Sequence, residues 1–140
     1  MSLVHGSAGI GYFAHIFSPS FIEAGLLSEP AVKAGVKAIN SEIASLAPVL
    51  NTPSIANAAT VTSQNSAVPV DIMAKRQGGA LYVFAVAMRP GATHATFTLR
   101  EARGGTAMVI GESRILSVVG GSFQDDFAAD YAVHLYRITF

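Results

Sequence analysis

The chain has 140 residues, no cysteine, nine basic against nine acidic side chains, and only 13% charged residues. That length makes one domain, or one domain with an arm, and it is large enough to fold without covalent staples. The missing thiols exclude disulfides, thiolate chemistry and cysteine-ligated zinc, and the balanced, scattered charge excludes a phosphate-binding face, so no nucleic-acid partner is expected.

Hydrophobic residues make up 51% of the chain. That is apolar for a free-standing small domain, whose surface normally carries about a quarter charged residues or more. Two explanations stand side by side: a tight β-core under a Ser/Thr/Ala surface, or a surface that partly belongs against another protein mass. No apolar run approaches the roughly 18 residues of a membrane span, so no membrane partner is expected. The N-terminus shows no basic leader followed by an apolar block, so no signal peptide is expected, and the compartment is left open.

In chain order, Ile10 to Phe17 is the first strand candidate, entered through Gly6, Gly9 and Gly11 and ended by Ser18-Pro19. Ser20 with Glu23 three residues later fits a capping box, which predicts that Ser20 to Leu27 begins with a short helical turn. A longer helix is predicted from Glu29 to Ala47, capped by Ser28, with Pro30 in its first turn and Pro48 just beyond its end. Its apolar residues Val32, Val36, Ile39, Ile43 and Leu46 fall on one stripe, so Val36, Ile39 and Ile43 are expected to be buried on the β part or on a second copy.

Asn51 to Ser66 is polar and small, with a strand candidate at Ala58 to Ser63. From Val68 to Leu99 three apolar runs are cut by Gly78-Gly79 and Pro90-Gly91, the pattern of adjacent antiparallel strands with tight connections. The middle run, ALYVFAVAM, is apolar on both phases, as expected of a central strand buried on two faces. Further strands are predicted at Thr106 to Ile110, Ile115 to Val119, Ser122 to Phe127 and Ala132 to Thr139. The fold class read from this pattern is mainly β: an antiparallel β-sandwich of seven or eight strands, Ig-like or jelly-roll-like, with an N-terminal α-helical arm. The division expected is an arm over residues 1–50 and a β-domain over 51–140.

Residues that could carry chemistry are sparse. His5, His15, His94 and His134 lack metal-ligand spacing, so no metal is expected. His15 and His134 lie in apolar strand candidates, where a hydrogen-bonded structural imidazole is the safer reading. Gly9-Ile10-Gly11 lacks the third glycine and following helix of a dinucleotide loop, and no Gly-x-Ser-x-Gly elbow is present, so no cofactor and no serine nucleophile are expected. Asp125, Asp126 and Asp130 form an acidic cluster that could offer calcium some ligands but reads better as a solvated turn. Glu23 and Glu112 are acids flanked by apolar sequence, yet nothing in the sequence pairs them as glycoside hydrolysis requires. Without tryptophan, and with Tyr12, Tyr82, Tyr131 and Tyr136 in or near strand candidates and at least half of them read as core, a sugar-stacking face has weak support. No catalytic, cofactor-binding or metal-binding residue is assigned.

The segment HGSAGIGYFAHIF, a proline, a helix ending in INSEIASLAPVLN, and strands holding VFAVAM, ATFTL, GESR and FQDDFAADYAVHLYRI resemble the C-terminal end of (β/α)8-barrel glycoside hydrolases. In that family a last barrel strand with a His-Gly and an aromatic pair leads to the final barrel helix, and a β-sandwich with a His-x-Tyr strand comes after it. The matching positions are His5-Gly6, Tyr12-Phe13, the helix Glu29 to Ala47, and His134-Leu135-Tyr136. The resemblance implies a barrel enzyme's tail without its barrel, since the barrel itself needs about 200 residues or more and builds its site from several strands. It therefore implies a non-catalytic structural or accessory domain, partnered by a catalytic barrel or self-associating through the N-terminal arm. The alternatives are a carbohydrate-binding module and a small hydrolase whose site forms across a subunit interface.

Overall fold

The computed structural model describes residues 1–140. They divide into two compact units, one of Met1–Ser7 with Val49–Phe140 and one of Ala8–Pro48.

The Ala8–Pro48 unit holds a four-residue helix, α1 (Gly25–Ser28), and most of α2 (Pro30–Leu50). The strand expected over Ile10 to Phe17 is absent. Only an isolated bridge joins Ile16 to Ile22, because an extended segment with no neighbouring strand has no ladder to stabilise it. Ser28 does not cap α2. Its hydroxyl donates back to the Gly25 carbonyl at 2.7 Å, and the first helical bond runs from the Lys33 amide to the Glu29 carbonyl. Nor does Pro48 lie beyond the helix. It sits in the last turn, where its missing N–H forfeits a single bond to the Ala44 carbonyl, and Thr52 closes the end by donating its amide and hydroxyl to the Val49 carbonyl. The apolar stripe is neither fully buried nor fully exposed within its own unit. Ile39 is 49% exposed and Val36 and Ile43 are half-buried, for a helix and an extended segment supply no second layer to cover it.

The β unit is mainly antiparallel sheet. Its strands are β1 (Ala59–Ser63), β2 (Val70–Gln77), β3 (Ala80–Ala87), β4 (Thr93–Leu99), β5 (Gly104–Val109), β6 (Arg114–Val119), β7 (Ser122–Phe127) and β8 (Val133–Thr139). They form one nearly closed eight-stranded sheet in the order β1-β4-β7-β6-β5-β8-β3-β2, every pair antiparallel. Within it β5, β6 and β7 are consecutive neighbours and β8 returns beside β5, a Greek-key connection.

Local chemistry explains the turns. Gly78 and Gly79 both take positive φ, 56° and 77°, as a two-residue primed hairpin turn between β2 and β3 requires. Gly105 lies inside β5, where a Cβ would stand 2.1 Å from the Thr139 carbonyl oxygen. Only glycine lets β5 approach the end of β8 so closely. Strand β3 lies between β2 and β8 and is buried on both faces, as its unbroken apolar sequence demands, but it does not neighbour β4 as the succession of runs predicts, since β4 crosses to pair with β1 and β7.

Alternation sets the interior. Phe97 of β4, Phe123 and Phe127 of β7 and Tyr136 of β8 meet there at 0–3% exposure. Phe97 stacks on Phe123 with ring centroids 4.7 Å apart, and Tyr136 meets both edge-on at 5.1 and 5.0 Å. The aliphatic residues Val83, Leu99, Val109 and Ile138 pack around these rings. The ladder is thin at one place: β6 and β7 pair only through Val119 and Ser122, at their shared turn.

Candidate functional site

Beyond that turn β6 and β7 separate, and charged side chains bridge the gap. Arg114 of β6, Asp125 of β7, and His134 and Tyr136 of β8 occupy inward positions in the same alternation as Val118, Phe123, Phe127 and Ile138. Glu112, in the β5–β6 turn, completes the group.

Arg114 is the hub. Its Nη1 and Nη2 donate to Asp125 Oδ1 and Oδ2 at 2.7 and 3.0 Å, a bidentate pair across the gap. Its Nε and Nη2 donate to Glu112 Oε2 at 3.0 and 2.6 Å. Asp125, with a side chain only 4% exposed, also accepts the Tyr136 hydroxyl at 2.9 Å and the Asp126 amide at 2.9 Å. The other Glu112 oxygen meets His134 Nδ1, and the opposite ring nitrogen lies 3.1 Å from the Asp126 carbonyl. Both imidazole nitrogens thus face oxygen acceptors, and the ring packs edge-on against Phe127 at 4.6 Å.

Two carboxylates therefore share one guanidinium, with an imidazole beside them, and of the four side chains Asp125 is the most deeply buried. Burial alone would push the Asp125 carboxyl up, but hydrogen bonds from Arg114, Tyr136 and the Asp126 amide outweigh it and hold the group below the usual carboxylate range. Glu112 behaves alike: burial opposes ionisation, and His134 and Arg114 overcome it. The Tyr136 phenol is driven up by burial and then by the Asp125 charge, so it stays protonated as a donor. Asp125 and then Glu112 reinforce the charge on Arg114.

All four carboxylate oxygens of Glu112 and Asp125 have donors in the protein, and no buried polar side-chain atom is left unpaired. Chemically the cluster joins β6, β7 and β8 where backbone pairing is missing. This arrangement makes stability depend on pH. Both carboxyls are depressed in the folded state, so their contribution is full above the unfolded carboxylate range and is lost as pH falls through the folded values. Thermal melts are expected to drop below about pH 4, with a smaller drop in Asp125→Asn, which removes one of the two groups. An acid limb identical in that variant would detach it from Asp125.

A second polar pair lies on the outer face. His94 of β4 stands opposite Asp126 of β7, with Nδ1 2.7 Å from Oδ1. The Asp126 hydrogen bond, stronger than the opposing burial, raises the imidazole pKa. The pair lines an open groove of about 400 Å³ with Gln64, Asn65 and Thr93. No three His, Asp or Glu side chains converge as a metal site.

The fold disperses most of the residues singled out from the sequence. His5 pairs with Asp71 at 3.1 Å on the surface. His15 is exposed and unattached to any strand, with Nδ1 2.5 Å from the Glu23 carbonyl. His134 is the hydrogen-bonded structural imidazole expected. Glu23 lies in the Ala8–Pro48 unit and its carboxylate makes no hydrogen bond or ion pair; Glu112 finds its carboxylate neighbour in Asp125 instead, through the shared Arg114. The acidic cluster does not form one solvated turn. Asp125 is a buried strand residue, Asp126 an exposed one, and Asp130 caps the Gly91 amide at 2.7 Å. Among the tyrosines, Tyr136 is core, Tyr82 half-buried, and Tyr12 and Tyr131 exposed. Arg114, the hub, stands at the end of the GESR segment and is given no role there. Its signal is a charge in phase with Leu116 and Val118 on the inward face.

No helix is long and apolar enough to cross a membrane. No protein-family model, no curated protein and no solved structure matches the chain.

Proposed function

We propose that this chain is a non-catalytic accessory β-domain, similar to the C-terminal domain of a (β/α)8-barrel glycoside hydrolase, which braces a larger catalytic body through residues 8–48. The observation that carries this reading is the apolar surface of that segment. Ile10, Tyr12, Phe13, Phe17, Phe21, Ile22, Leu27, Val32 and Ile39 are all at least 40% exposed, and Gly25 is its one buried residue. Phe13, Phe17 and Phe21 adjoin in series, with ring centroids 5.9 and 5.7 Å apart. A segment this short with no core of its own does not offset the entropy of ordering it, and a contiguous aromatic surface of this kind marks an interaction site. The arrangement of the ionisable cluster is consistent with a supporting role, because its acids and bases face one another.

The reading is tested by sequencing the source DNA upstream of the Met1 codon. A barrel encoded in frame or in the adjoining gene is the expected result, and a neighbourhood with no barrel overturns it. Assays on aryl glycosides are expected to release no chromophore. Release that Glu112→Gln abolishes would make the chain a hydrolase, and sugar-array binding without turnover would make it a carbohydrate-binding module.

A further inference from the structure

The separation of β6 from β7 leaves β6 with an open edge. All six of its residues pair with β5, but on the other side only Val119 has a strand partner. No backbone or side-chain group of the chain bonds Ile115, Leu116, Ser117 or Val118 on that side. Natural edge strands are normally protected by lysine, proline, a bulge or a covering loop. Here the edge reads Ile-Leu-Ser-Val-Val from 115 to 119, without charge or proline. Ile115 is 69% and Val119 73% exposed, and Met108, opposite Ile115 on β5, is 40% exposed. The edge of β2, by contrast, is occupied in part by the Ser54–Lys75 bridge and the Ile55 amide, and carries Asp71, Lys75 and Arg76.

We propose that two copies of this chain join edge to edge through β6, antiparallel about Leu116. The sequence of the edge is self-complementary under that two-fold, the condition an isologous contact imposes. Ile115 of each copy lies opposite the small Ser117 of the other, Leu116 opposite its equivalent, and Arg114 opposite Val118. No like charges are brought together, because the one charged residue, Arg114, is turned inward and already neutralised by Glu112 and Asp125. Main-chain hydrogen bonds supply the attraction and the alternating large and small side chains fix the register, as in strand addition generally. An edge of five residues buries less than the roughly 1,000 Å² of a permanent interface, so the dimer is weak and depends on concentration. This surface is distinct from the aromatic one on residues 8–48, and its pairing is independent of any accessory role.

Sedimentation equilibrium of the full chain over a wide concentration range tests it. The average mass is expected to climb toward that of two chains, and β6 amides that do not bond β5 should slow their hydrogen exchange in parallel. Ser117→Lys and Ile115→Thr change exposed, outward side chains, and unaltered circular dichroism and melting verify that each folds. Ser117→Lys should weaken association about tenfold or more by setting like charges across the axis; Ile115→Thr should weaken it less. A constant monomer mass overturns the proposal. So does association that persists undiminished in folded Ser117→Lys, or that is lost in Phe17→Ser while Ser117→Lys retains it, which would assign the contact to the aromatic surface.

Discussion

Arg114→Met is expected to destabilise the β unit by about 3 kcal/mol, near the lower end of the range for breaking a buried ion pair. The loss comes less from the arginine than from what it leaves behind. Asp125 would remain with a 4% exposed carboxylate and only Tyr136 and one amide as donors. Glu112 would keep His134 alone. Arg114 is itself 38% exposed, so water replaces part of its own contacts, which places the figure at the low end. Urea denaturation at neutral pH measures the effect, which corresponds to a fall in melting temperature of about 15 °C. The companion variant Arg114→Met/Asp125→Leu removes the buried carboxylate together with its partner and should recover part of the loss, the remainder being held by Glu112, left with His134, and by the Tyr136 hydroxyl, which loses its acceptor. Equal losses in the single and double variants would show that the cluster does not hold the separated strands together.

Phe97→Ala should cost about 3–5 kcal/mol, comparable with the largest truncations measured in protein cores. Phe97 is fully buried and touches the rings of Phe123, Phe127 and Tyr136 at once. Its removal opens a void that the surrounding strands cannot close, since β4 is paired on both sides, to β1 and β7. Phe97→Leu retains much of the volume and should cost less than half as much. Midpoints from chemical denaturation distinguish the two, and a loss below about 1 kcal/mol for the alanine variant would mean that the core is centred elsewhere.

The β-strands were legible because glycine and proline punctuate them and alternation marks their faces. β2, β3 and β4 lie within the three runs read from Val68 to Leu99, and β7 falls where SFQDDF places it. Their order was not legible. β1 pairs with β4 and β3 with β8, contacts between segments whose sequences say nothing of one another. The ionisable cluster was half legible. In SFQDDF the residues Phe123, Asp125 and Phe127 share one phase, so the period that buries the phenylalanines also buries the aspartate; the local density of acids suggests a wet turn instead. Arg114 stands in the same relation to Leu116 and Val118. Period-two reasoning failed at Ile10 to Phe17 for the opposite reason: a pattern suited to a strand requires a partner, and the segment has none beyond one bridge.

The placement of β8 between β3 and β5 has a kinetic consequence. Its partners on β3 precede it by about fifty residues, as with Phe84 and Leu135. A long loop must close before either neighbour gains a hydrogen bond, which slows folding relative to local hairpins and places this topology in the millisecond-to-second regime. On the ribosome, β2–β3 and β5–β6 form as hairpins while the sides of β3 and β5 that will receive β8 are still bare. For that interval the nascent chain offers two incomplete ladders to any neighbouring polypeptide, and the last of these eight strands to be synthesised is the one that shields both.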